Sequence, residues 1–180
     1  ARIIEVLSPA SRRLRPLDVI SHFESVVLGE LDLRLESSAA SEFAANTAQD
    51  EGFTLPVIKW PHSSRRVMTM SWAEGVPMGD NAAIDAAGHN RQALSTRVLQ
   101  LFLNHALRDG YFHADMHQGN MKVAPNGDII AYDFGIMGHI DEYTRRVYAE
   151  ILFGFIRKDF KRVAEVHFEA GSVPADKDVD

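Results

Sequence analysis

The chain has 180 residues, 46% of them apolar and 24% charged, which is long enough and balanced enough to build a sizeable globular core. A net charge of −6, with no run of more than two Lys/Arg residues, argues against sequence-independent nucleic-acid binding, so nucleic acid is not expected as a partner. The absence of cysteine excludes disulfides, thiolate zinc sites and Cys nucleophiles, and no apolar run approaches the ~20 residues that span a bilayer.

After an arginine-bearing lead-in over residues 1–15, Pro16 suits the first turn of a helix, and the pattern predicts one long helix to about Asp50. Ile20, Phe23, Val27, Leu31 and Leu35 recur at helical spacing and predict its apolar stripe. Glu30 lies on one rim of that stripe, and Asp32 and Glu36, four apart, share a face near the other. Leu55–Trp60 and Arg66–Trp72 are β-rich runs split by Pro61-His62-Ser63-Ser64, which predicts adjacent antiparallel strands ended by Gly75 and Pro77. Asp80–Ala87 reads as a short connector. Gly88–Asp109 reads as a second long helix, with Leu94, Val98, Leu101, Phe102 and Leu107 on its apolar face and Gly110 as its stop.

The stretch Tyr111–Gly135 carries the chemistry. Asp115 is followed by Asn120 and then by Asp133-Phe134-Gly135. Phosphoryl transfer needs one carboxylate at the nucleophile, and an amide plus a second carboxylate to hold Mg²⁺ against nucleotide phosphates. Met121–Ala124 and Ile129–Tyr132, split by Pro125-Asn126-Gly127, predict a hairpin that folds Asp133 back beside Asn120. His113, Asp115 and His117 alternate, as zinc ligands on one strand face would. The following Gln118-Gly119-Asn120 reads as loop, which disfavours that arrangement. Beyond the triplet, Gly138 permits a turn. Asp141 is a candidate cap for a helix over 142–157 with Val147, Ile151 and Phe155 on one face. Asp159 caps another, with Phe160, Val163 and Val166 inward, before an acidic, frayed tail over 173–180.

The motifs Glu30-Leu31-Asp32 with Glu36, His113-Ala114-Asp115-Met116-His117-Gln118-Gly119-Asn120, and Asp133-Phe134-Gly135 together resemble the UbiB/AarF atypical kinase-like family, over residues 16–170. The resemblance implies an α/β, protein-kinase-like fold, predominantly helical with short antiparallel strands and read from its C-helix onward. Residues 1–72 would be the remainder of the small lobe, and 73–180 the hinge and large lobe. It implies Asp115 as the catalytic-loop aspartate with His113 bracing it, and Asn120 and Asp133 as Mg²⁺ ligands. Glu36 would be the partner of a strand lysine, and the backbone at Ser71 and Ala73 the hinge that binds adenine. Glu30 and Asp32 would restrict the acceptor site. ATP and Mg²⁺ are the implied cofactors. The implied partners are prenylphenol quinone precursors, membrane lipid and other quinone-biosynthesis proteins, and the implied place is the cytoplasmic face of the inner membrane, through segments outside a chain that is itself soluble.

The family's KxGQ motif, alanine-rich nucleotide loop and strand lysine are not in these 180 residues, so the expectation is a partial domain with little activity alone. Two other readings stand beside this one: a small-molecule kinase of aminoglycoside or choline type, and a nucleotide-sensing scaffold without turnover.

Overall fold

The computed structural model describes residues 18–20, 23–24 and 31–173. Residues 18–20 and 23–24 are helical, and the chain turns at Leu31 before a fresh helix, α1, begins at Leu33 and runs to Asn46. The expected single helix to Asp50 is therefore interrupted. The cause is Asp32, an N-cap whose carboxylate accepts from the Arg34 amide at 3.2 Å and so satisfies a donor the new helix leaves unpaired.

The expected stripe is not the buried face either. Ile20, Phe23, Leu31 and Leu35 are all more than half exposed, while α1 buries Ser37, Ala40 and Phe43; Val27 lies outside the described residues. Small side chains at 37 and 40 let the helix approach closely, and Phe43 fills the space beyond them. Its ring meets Phe53, His105, Tyr111 and Phe134 edge-on, with centroids 5.0–6.5 Å apart.

The runs at 55–60 and 66–72 do lie antiparallel, through Ile58 and Met70, with Lys59 donating to the Thr69 carbonyl at 2.8 Å and Ser71 to Val57 at 2.9 Å. They form bridges rather than full strands, because Pro56 and Pro61 remove ladder donors and Trp60–His62 closes into a 3₁₀ turn. The main sheet is instead built from β1 (Phe53–Thr54), β2 (Val76–Pro77), β4 (Met121–Val123) and β5 (Ile129–Ala131), in the order β1-β5-β4-β2. β1 runs parallel to β5, and the other pairs are antiparallel. A second, two-stranded ribbon pairs β3 (Tyr111–His113) with β6 (Met137–His139). Gly138 sits in β6 rather than a turn. A Cβ there would fall 2.4 Å from the Phe112 ring, so the glycine is needed for cross-strand packing.

Along the chain between β2 and β3 come α2 (Asn81–Ala86), capped by Asp80, and α3 (Arg91–Asn104), capped by Asn90. α3 buries Leu94 and Leu101 and continues as one π-helical turn, His105–Asp109, ended by Gly110 at φ 70° as its position suggested. α4 (Glu142–Arg157) and α5 (Phe160–Glu169) start on the aspartate caps expected at 141 and 159. Val163 and Val166 are buried, whereas Phe155 and Phe160 are more than half exposed and stack edge-on against each other. The inward placement expected for Phe160 is thus corrected. The lead-in at 1–15 and the tail at 174–180 lie outside the described residues.

One polar cluster ties the end of α1 to the approach to β3. Asp50, nearly buried, accepts both guanidinium nitrogens of Arg108, at 2.6 and 2.9 Å, and contacts His105 Nε2 at 2.9 Å. Arg108 holds the Asp50 carboxyl below its ordinary range, and burial pushes the His105 pKa down despite Asp50 beside it. Both lowered groups stabilise the fold while deprotonated. Stability should therefore be flat above about pH 7 and fall below His105's unfolded value of about 6.5, with a further loss below about 4 as Asp50 is protonated. Arg108→Ala should cost ~2 kcal/mol at pH 7 by leaving a buried carboxylate short of its cation, and much less at pH 3. Urea unfolding of the chain across this pH range reads both effects.

Candidate active site

The β4–β5 hairpin sets the geometry. Met121 pairs with Ala131 and Val123 with Ile129, around the turn at Pro125-Asn126-Gly127. This register carries the Tyr132 amide to the Asn120 carbonyl at 3.2 Å, so the residue after Tyr132, Asp133, begins beside Asn120 as the spacing predicted.

Asn120 is buried and points its Nδ2 at Asp115, 3.2 Å from the carbonyl and 3.3 Å from Oδ2. The amide's oxygen accepts no hydrogen bond among the described residues, and it lies on the opposite side of the amide from the Asp115 contact. Asp133 is exposed; its Oδ1 accepts from the Gly135 amide at 3.1 Å, which curls the triplet and fixes the carboxylate. An amide oxygen and a carboxylate are hard donors of the kind Mg²⁺ takes, two from the protein with phosphates and water completing the shell. Among the described residues no three His, Cys, Asp or Glu side chains converge as a ready-made metal cage.

His113 is fully buried, and its Nδ1 accepts the Asp115 amide at 3.1 Å. Its Nε2 has no partner at hydrogen-bond distance, although the Asp133 backbone lies near enough to favour protonation. Burial is the larger effect and lowers the ring's pKa. The ring is a neutral brace between the loop and the triplet, packed near Phe134 with centroids 6.1 Å apart. His117 is exposed, accepts from Gly119 at 2.9 Å and stands 3.6 Å from Asp115. The two histidines therefore face opposite environments, and the zinc arrangement fails on geometry.

α1 closes the other side. Glu36 Oε1 accepts from the Phe134 amide at 3.1 Å, an unanticipated bond across 98 residues, and makes no ion pair among the described residues. Asp32 is gripped by Arg34, at 2.6 and 2.9 Å, with Arg65 at 3.9 Å. The Arg34 bond holds the Asp32 carboxyl down at about 2. Asp32, Glu36, Asp115 and Asp133 line one groove of about 820 Å³, floored by Phe134, Gly135, Ile136 and Met137. Glu30 lies outside the described residues. A second cavity of about 470 Å³, behind residues 115–121, is lined by Met78, Ile84, Leu94, Met116 and Met121 and by no carboxylate.

Ser71 and Ala73 stand apart from the groove. The Ser71 amide and hydroxyl are both engaged with Val57, and the Ala73 carbonyl accepts from Lys122 Nζ at 3.0 Å. Lys122 escaped the sequence reading: between Met121 and Val123 it shows only the alternation of a strand, and nothing local reveals a partner 49 residues away.

A family model for the ABC1 atypical kinase-like domain matches residues 1–167. The chain belongs to that family. Over its whole length it is 36% identical to a probable protein kinase UbiB of Vibrio vulnificus, and over 97% of its length 34% identical to that of Xylella fastidiosa. It spans about a third of these curated relatives, 34% and 33% of their lengths. A solved complex of Rv3197 with erythromycin, from Mycobacterium tuberculosis, superposes with a TM-score of 0.66 at 26% identity, covering 84% of this chain and 38% of that one. The kinase-like fold, predominantly helical with short strands, is thus established. Among the described residues of this ABC1 domain no helix is long and apolar enough to cross a membrane.

The cap and the groove make separable demands on Asp32. Asp32→Ala should lower the denaturation midpoint of the chain measurably, and Asp32→Ser, which keeps a capping oxygen but no charge, should lower it clearly less. Chemical denaturation of the two variants distinguishes them.

Proposed function

We propose that the full-length protein binds Mg-ATP in the carboxylate groove and hydrolyses it or transfers its γ-phosphoryl group, in support of prenylated quinone biosynthesis. The observation that carries this reading is the hairpin register that brings Asp133 beside Asn120, with Asp115 hydrogen-bonded to the same asparagine. The relatives' description as probable protein kinases and the kinase-like family support the nucleotide.

Asn120 and Asp133 would hold Mg²⁺, which draws charge off the phosphates. Asp115, oriented by Asn120 and by the hydrogen bond its backbone N–H donates to His113 Nδ1, faces the groove as the base that orients an attacking hydroxyl or water. Glu36, bonded to Phe134, fixes the triplet against α1 and remains available to a cation supplied from elsewhere in the full-length protein. Glu30 and Asp32 restrict the acceptor side. Prenylphenol precursors, membrane lipid and other quinone-biosynthesis proteins are the partners of this reading, and the cytoplasmic face of the inner membrane is its place. ADP release screened against hydroxylated metabolites and prenylphenols separates it from a small-molecule kinase or a non-hydrolysing sensor.

Asp133→Asn should weaken Mg-ATP binding by the full-length protein about tenfold or more, ~1.4 kcal/mol. Asp128→Asn should change it less than about twofold, because Asp128 serves only the hairpin turn through Asn126 at 2.8 Å. Calorimetric titration of both variants reads the contrast; equal small effects would remove Asp133 from the metal site.

A further inference from the structure

His117 sits two residues past Asp115, and its two ring nitrogens stand in different surroundings. Nδ1 accepts from the Gly119 amide at 2.9 Å and caps the 3₁₀ turn Gln118–Asn120. The neutral ring therefore carries its proton on Nε2. The ring lies so close over the loop that a Cβ at Gly119 would fall 2.6 Å from its Cε1, so the glycine leaves the space that the imidazole fills. The side chain is more than half exposed, yet it is seated on the backbone beneath it.

Capping the turn uses one nitrogen only. Asn, Asp or Ser would serve that purpose as well; histidine adds a second nitrogen on the far side of the ring. That Nε2 stands 3.6 Å from Asp115 Oδ2, too far for a direct hydrogen bond, and among the described residues its N–H has no hydrogen-bond partner. A donor is what the neighbouring groove lacks. Its described lining includes Asp32, Glu36, Asp115 and Asp133 and no Lys, Arg or His, and Arg34 is spent on Asp32. A phosphoryl group brought to Asp115 meets like charge there, and a preorganised N–H beside it offsets that repulsion.

We propose that His117 is a catalytic residue whose Nε2–H donates to an oxygen of the phosphoryl group transferred at Asp115. The inference rests on the Mg-nucleotide reading above and adds a donor to its site. In the step, the oxygen of water or of an acceptor hydroxyl bonds to the γ-phosphorus. The bond to the bridging oxygen breaks with its electron pair left on ADP, and the attacking oxygen's proton passes to Asp115. His117 gives a hydrogen bond and keeps its own proton.

The two nitrogens are tested separately in the full-length protein. His117→Asn places a side-chain oxygen near the position of Nδ1, which keeps the cap, and removes the donor at Nε2. His117→Gln carries an N–H out to the Nε2 position and gives up the cap. ADP release from Mg-ATP reads kcat/KM, and calorimetric titration reads the affinity for Mg-ADP, which lacks the group that the donor would touch. His117→Asn should lower kcat/KM about tenfold or more and leave Mg-ADP affinity within about twofold of the wild type. His117→Gln should recover most of the turnover, and matching thermal melts would show that both variants fold. Unchanged turnover in His117→Asn would leave Nε2 idle. A loss in His117→Gln alone, or equal losses of turnover and Mg-ADP affinity in both variants, would make the ring a loop cap and nothing more. Each of these results overturns the inference and leaves the nucleotide reading intact. Wild-type protein that releases no ADP from Mg-ATP would defeat the transfer reading and this inference with it.

Discussion

The hydrogen bond from the Tyr132 amide to the Asn120 carbonyl is the constraint on which the site depends. It is the last rung of the β4–β5 ladder, and its existence requires the register that opposes Met121 to Ala131. A slip of one residue would turn Met121 and Val123 out of the core, at the cost of burying Lys122 in their place. The core thus enforces the register, and the register brings the start of Asp133 to Asn120. The chemistry of the groove is a by-product of packing that the apolar residues already favour.

The aromatic cluster around Phe43 performs the same service for α1. Phe134 sits inside the core next to the ring of Phe43, so the triplet cannot leave the helix without opening a cavity. Glu36 then needs only to accept the Phe134 amide to join the two halves of the groove. At the far end of α1 the Asp50–His105–Arg108 cluster anchors the same helix to the π-helical turn that leads into β3 and the His113–Asn120 loop. The carboxylates are therefore held by two buried attachments, one aromatic and one ionic, and the groove's negative charge is tolerated because Asp133, at least, remains exposed to water.

What could be read from the sequence was what short-range physics determines. The hairpin followed from a turn tripeptide between two apolar runs, the caps at Asp141 and Asp159 from side chains that bond their own helix, and the stop at Gly110 from a glycine placed where the helical pattern ends. The errors came where tertiary packing overruled periodicity. Asp32 broke a helix whose apolar spacing continued through it, and Ser37 and Ala40 displaced Leu31 and Leu35 from the interior because small residues allowed closer approach. Lys122 and the Asp50 cluster were invisible, since their partners lie 49 to 58 residues away and no local pattern announces them. The motif residues Asp115, Asn120 and Asp133 were legible as types and spacings, while the bonds that orient them, from Gly135 and to His113, emerged only from the fold.

The central claim is that Asn120 and Asp133 together hold the metal that carries a nucleotide's phosphates. Mn²⁺ can replace Mg²⁺ and be located by anomalous X-ray scattering in crystals of the full-length protein with a non-hydrolysable ATP analogue. The account predicts an anomalous peak bridging the Asn120 amide oxygen, the Asp133 carboxylate and the analogue's phosphates. A peak bound instead by Asp32 and Glu36, with Asn120 and Asp133 left unligated, would contradict it.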